Sequence, residues 1–141
     1  MSPQPIQYGG AALDLSPRVF KSVTVAASPA AATETIICTL TVDQDLAVME
    51  GAFLTGCCAF TVGTNGTDIT LKLRRTDTSG TTLISSGLIN APAAADLLTY
   101  SLSWFDTGPT VPGQVYVMTL TVANGSAPST VSAASLFCLI V

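Results

Sequence analysis

Apolar and polar residues alternate with a period of two through most of this chain, in runs of about six to twelve residues broken by Gly, Pro, Asn and Ser. The clearest runs are 33–42, where Ile36, Cys38, Leu40 and Val42 alternate with Thr35, Ile37, Thr39 and Thr41, and 68–75, where Ile69, Leu71 and Leu73 alternate with Thr70, Lys72 and Arg74. Successive side chains of a strand point to opposite faces, so this period is that of strands half-buried in a sheet. The same reading gives strands at 19–27, 52–62 (Leu54, Gly56, Cys58, Phe60 and Val62 on one face), 81–86, 96–105, 114–122 and 130–141. A short helical turn capped by Asp43 and Asp45 is expected over 46–50,.

Eight short strands at even spacing, with no long amphipathic helix between them, predict an all-β fold. An antiparallel eight-stranded sandwich of jelly-roll type suits the length best, and a seven-stranded immunoglobulin-like sandwich comes second. Trp104 follows Cys38, Cys57 and Cys58 instead of standing between a bridging pair, which is not the immunoglobulin arrangement,. Residues 1–17 carry Pro3, Pro5, Pro17 and Gly9-Gly10 and are expected to form an extended arm ahead of one domain at 18–141,. The arm holds Ile6, Tyr8, Leu13 and Leu15, apolar side chains suited to lying on a partner.

The last run keeps both its faces apolar. Val131, Phe137, Leu139 and Val141 compete with Leu136, Cys138 and Ile140 for the core, and a sandwich buries only one face of a strand. Leu136 to Val141 is therefore expected to be two-sided, with Phe137, Leu139 and Val141 as candidates for an oligomer interface. A chain apolar to its last residue is expected to be tied into a sheet or an interface.

Composition narrows the function classes. Charged residues are 10% of the 141, with a net charge of −4, so Thr (20) and Ser (13) must cover much of the outside. Five Lys and Arg without a basic stripe argue against nucleic acid,. No apolar window has the length of a membrane span, and the first residues lack the charged start of a secretory signal, so synthesis in a cytoplasm is expected.

Histidine is absent, which removes the commonest general base and the commonest metal ligand,. The chain is expected not to be an enzyme and to need no cofactor. Cys38, Cys57, Cys58 and Cys138 lie in apolar runs and are expected as buried free thiols, with Cys38–Cys58 or Cys58–Cys138 pairing as the alternative,. Asp43 and Asp45 cap a turn more readily than they bind calcium. Lys72 and Arg74 share one face and either dock on an acidic partner or guard an edge strand by charge,. Asn65-Gly and Asn124-Gly fit hairpin turns or glycosylation acceptors. Tyr100 and Trp104 share the face of Leu98 and Leu102 and are expected in the core, with a ligand platform as the alternative.

With its Pro-rich arm, its low-charge strands such as Thr-Leu-Lys-Leu-Arg-Arg-Thr-Asp-Thr-Ser-Gly-Thr-Thr (70–82) and its apolar end, the chain resembles the decoration or cement proteins of tailed bacteriophages. The resemblance implies a homotrimer that binds the major capsid protein on the outer surface of the virion and stiffens the shell. The candidate docking residues come from the residue pattern itself and not from the resemblance: Ile6, Tyr8, Leu13 and Leu15 of the arm, with Lys72 and Arg74. The reading from another class is a fibre or head-fibre module that binds a host glycan, for which exposed Tyr100 and Trp104 would be the sign.

Overall fold

The computed structural model describes residues 7–8, 11–12, 18–42, 50–61, 63, 67–91, 97–107, 113–123 and 130–141. Two short strands, β1 (Gln7–Tyr8) and β2 (Ala11–Ala12), pair with each other. Then come β3 (Arg18–Ala27), β4 (Glu34–Val42), β5 (Ala52–Thr61), β6 (Thr67–Arg75), β7 (Thr82–Ser85), β8 (Ile89–Ala91), β9 (Leu97–Asp106), β10 (Gln114–Val122) and β11 (Thr130–Ile140). One sheet has the order β3-β11-β5-β9, and the other β4-β10-β6-β7 with β8 also on β6. All these strand pairs are antiparallel.

This is the eight-stranded jelly-roll sandwich that the alternation predicts. Only β8 and the β1–β2 pair are additions. The last two strands hold the centre of the two sheets, β10 between β4 and β6 and β11 between β3 and β5. Consecutive in the chain, they lie in opposite layers.

The core follows from the alternation. Leu54, Cys58 and Phe60 of β5, Ile69, Leu71 and Leu73 of β6, Tyr116, Met118, Leu120 and Val122 of β10, and Leu136, Cys138 and Ile140 of β11 are buried between the sheets. Gly56 sits where the layers meet: a Cβ there would lie 2.9 Å from Leu73 Cδ2 and 3.0 Å from the Met118 sulfur.

Two β-bulges correct the sequence reading. In β4 the register on β10 shifts between Met118 and Thr119, which turns Ile37 inward beside Cys38 and leaves Ile36 exposed, the reverse of strict alternation. In β11 the register on β5 shifts between Val131 and Ala133, so Val131 is buried and so are Ala134, Leu136, Cys138 and Ile140. A bulge inserts one residue and inverts the facing of everything beyond it. The two apolar sets of the last strand thus each reach the core on one side of the bulge, and Phe137 and Leu139 point outward. The strand is two-sided as expected. Its end is tied down as well, since Val141 exchanges backbone hydrogen bonds with Gly51 (3.1 and 3.2 Å) and accepts a third from Glu50 (2.8 Å).

The β6–β7 connection is closed by Asp77, whose carboxylate accepts from the Ser79 amide (2.8 Å), the Ser79 hydroxyl (2.6 Å) and the Gly80 amide (3.0 Å). Gly80 is required there, because a Cβ would lie 1.8 Å from the Arg75 carbonyl oxygen.

Candidate interaction surfaces

Outside the core, the described side chains make two polar clusters and one apolar face. On the outside of the five-stranded sheet, Glu34 of β4 receives Arg74 through two hydrogen bonds (2.7 and 2.9 Å) and the hydroxyl of Thr119 (2.6 Å), with Lys72 Nζ at 3.8 Å. Arg74 also donates to the Gly80 carbonyl at 2.9 Å. Burial pushes the Glu34 carboxyl up, but the bonds from Arg74 and Thr119 and the charge of Lys72 outweigh it and hold the group below its ordinary range,. These long side chains cover β10, so Val117 and Thr119 are buried although they face outward,.

Lys72 and Arg74 do share a face, but both are set against a carboxylate of their own chain. The edge-guarding role is corrected: β6 lies between β10 and β7 and is not an edge.

Arg75, the next residue, points the opposite way and meets Asp106 at the end of β9. Its Nε donates to Oδ2 at 2.9 Å and its Nη2 donates to Oδ1, while the Tyr116 hydroxyl donates to Oδ2 at 3.0 Å. Asp106 is only 2% exposed. The cluster joins β9 of one sheet to β6 and β10 of the other. The hydrogen bond to Asp106 raises Arg75 above its usual value, and burial raises Tyr116 far above the phenol range. A buried carboxylate paired with Arg and Tyr is a structural tie between layers. Sequence reasoning did not single out Asp106. Arg75 facing inward was the one available sign that a buried carboxylate had to exist, and nothing in the sequence said which.

The outer face of the four-stranded sheet is of another kind. The registers align Val19, Leu139, Phe53 and Phe105 in one row across all four strands. The next row reads Lys21, Phe137, Thr55 and Ser103, and the third Val23, Ser135, Cys57 and Ser101. Val19, Val23, Phe53, Phe105 and Phe137 are exposed. At strand spacings of about 4.8 Å the first row is an apolar ridge roughly 15 Å wide. Beside it lies a hollow of about 570 Å³ lined by Val23, Cys57, Ala59, Thr99, Ser101 and Ser135, among others. In these three rows the only charge is Lys21.

Of the three residues expected at an interface, Phe137 and Leu139 lie on this face, and Val141, exposed, follows at its end. Val19, Phe53 and Phe105 were missed, because each looks like an ordinary strand residue until the register aligns them. Ile6, Leu13 and Leu15, with the side chain of Tyr8, lie outside the described residues, as do Asp43, Asp45, Asn65 and Asn124.

The four cysteines are free, which sets aside the two disulfide pairings. Three are buried as expected, and burial raises Cys58 and Cys138 to about 12. Cys57 is the exception, exposed on the outer face because it is the odd neighbour of inward Cys58. Tyr100 and Trp104 also depart from expectation. Both share the inward face of Leu102, yet they are 39% and 42% exposed, because β9 is the margin of its sheet and the facing edge strand, β7, has only four residues. Among the described residues no group of three His, Cys, Asp or Glu side chains could hold a metal ion.

No family model matches the chain, and no curated protein matches its sequence. Solved structures that share its architecture include capsid proteins of infectious bursal disease virus. A mutant VP2 in derived T=1 particles aligns with 95% of the chain at a TM-score of 0.59 and 13% identity. The virus of the Gt strain aligns with 100% at 0.56 and 13%, and the VP2 subviral particle with 98% at 0.55 and 12%. The chain spans only 36%, 37% and 36% of those three proteins, in the order VP2 mutant, Gt strain, subviral particle. At such identities the likeness is one of fold: this chain is a β-sandwich of the kind found in viral shell proteins.

Proposed function

We propose that this chain is a virion structural protein that attaches to the outer capsid surface as an oligomer and stabilises the shell, as decoration or cement proteins do. The observation that carries the reading is the apolar, nearly uncharged outer face of the four-stranded sheet, on a fold shared with capsid proteins. The outer face, with Phe53, Phe105, Phe137 and Leu139, is the contact to the major capsid protein; an apolar centre with few charges is the composition of a specific interface. Many copies on one lattice would add weak contacts into firm attachment.

The test is a binding assay on empty shells of the major capsid protein, followed by heating. Saturable binding with a raised rupture temperature supports the reading, and failure to sediment with shells overturns it.

Partly exposed Tyr100 and Trp104 favour a second reading, a fibre or head-fibre module that stacks on a host glycan. A glycan-binding screen with a Trp104→Ala control separates the two, because the capsid-binding face does not include Trp104.

A further inference from the structure

A sandwich has four strand edges, and three of them here are dealt with. β3 and β4 border each other at one flank, and β3 carries Lys21 in its middle. β7 is only four residues long. The fourth edge, β9, runs for ten residues without proline, and from Leu97 to Phe105 it bears no charge. Among the described residues no strand pairs with its outer side. Native sheets blunt such edges with charge, proline, bulges or shortness, and a long regular apolar edge with none of these is a template for another strand.

The sequence of β9 says which strand fits. Written as apolar or hydroxyl, Leu97-Leu98-Thr99-Tyr100-Ser101-Leu102-Ser103-Trp104-Phe105 reads the same in both directions about Ser101. Laid antiparallel on a second copy with Ser101 opposite Ser101, Tyr100 meets Leu102 and Leu98 meets Trp104 on the inner face. On the outer face Thr99 meets Ser103 and Leu97 meets Phe105. Every opposed pair is apolar with apolar or hydroxyl with hydroxyl, as an isologous twofold contact requires.

We infer that β9 is a dimerisation edge: two copies join β9 to β9 into one continuous eight-stranded sheet. The nine paired residues make a seam of about 30 Å with roughly eight to ten backbone hydrogen bonds. The added strand covers Tyr100 and Trp104. Each copy carries a net charge of −4, and this seam is an uncharged place for two of them to meet. The twofold axis also joins the two apolar outer faces side by side. The inference does not rest on the capsid reading, and it replaces the expected trimer by a dimer.

The test uses the full chain at micromolar concentration, with light-scattering mass and amide hydrogen exchange. Wild type is expected at twice 14.4 kDa, with protected amides along β9. Ser101 is exposed, so Ser101→Lys leaves the fold intact, as circular dichroism would confirm, and places two like charges opposite each other. The mass is expected to fall to that of one chain and β9 exchange to speed up. Mixing Ser101→Lys with Ser101→Glu restores the double mass, which a merely damaged strand would not do. Phe137→Asp, on the same outer face but two strands away, leaves the dimer in place. A monomeric or trimeric wild type, an unchanged mass in Ser101→Lys, or loss of the dimer in Phe137→Asp overturns the inference.

Discussion

The outer faces of the two sheets are built from strands of the same pattern and end up as opposite surfaces. On the five-stranded sheet, Lys72 and Arg74 meet Glu34 and Thr119, and their chains roof over Val117. On the four-stranded sheet the equivalent positions are Val19, Leu139, Phe53 and Phe105, aligned in a row with nothing described above them. Among the described residues the first face is covered by side chains of its own chain and the second is not. It is register, more than composition, that decides which face is left apolar.

Four substitutions bear on this contrast. The largest effect is expected from Ile140→Asp, which places a carboxylate in the layer between the sheets. Ile140 is fully buried, so the change should cost roughly 4–5 kcal/mol in urea unfolding, a large part of a domain's stability. Asp106→Asn should follow at about 2–3 kcal/mol, because Arg75 and Tyr116 lose their shared acceptor charge. If it costs nothing, the tie between the layers is not structural.

Glu34→Gln is expected to cost about 1 kcal/mol, as a partly exposed ion pair does. It also has a pH signature. The folded state holds Glu34 below its ordinary value of 4.5, so the stabilisation is full above the unfolded value and is lost as pH falls through the folded one. The wild-type advantage over Glu34→Gln should shrink on acidification below about 4.5; an advantage that grows instead would show that the carboxylate is not stabilised by its neighbours.

Phe137→Asp is expected to have the smallest effect on folding, within about 0.5 kcal/mol, and to abolish attachment to shells. Equal unfolding by Phe137→Asp and Ile140→Asp would erase the distinction between the strand's two faces.

Much of this was legible in the sequence. Alternation located eight of the nine strands of the two sheets within a residue or two, because burying one face of a sheet demands that period. The predicted alternating sets of β5 and β6 are inward wherever they are described. In β4, however, Ile36 and Ile37 exchanged places, because a bulge obeys the partner strand's register and leaves no trace in composition. Tyr100 and Trp104 were placed on the correct face and still came out exposed, since alternation fixes a direction and cannot say that β9 is the last strand of its sheet.

The sequence by itself determined the all-β class, eight of the strands, the absence of histidine and the two-sided character of Leu136 to Val141. These are local properties, set by period and residue type. Only the tertiary structure decided that Leu136, Cys138 and Ile140 are the core set, that Val19, Leu139, Phe53 and Phe105 form one ridge, that Asp106 answers Arg75, and that β9 has no strand on its outer side among the described residues. Each depends on which strands lie side by side and in what register, and that pairing is settled by the packing of distant segments.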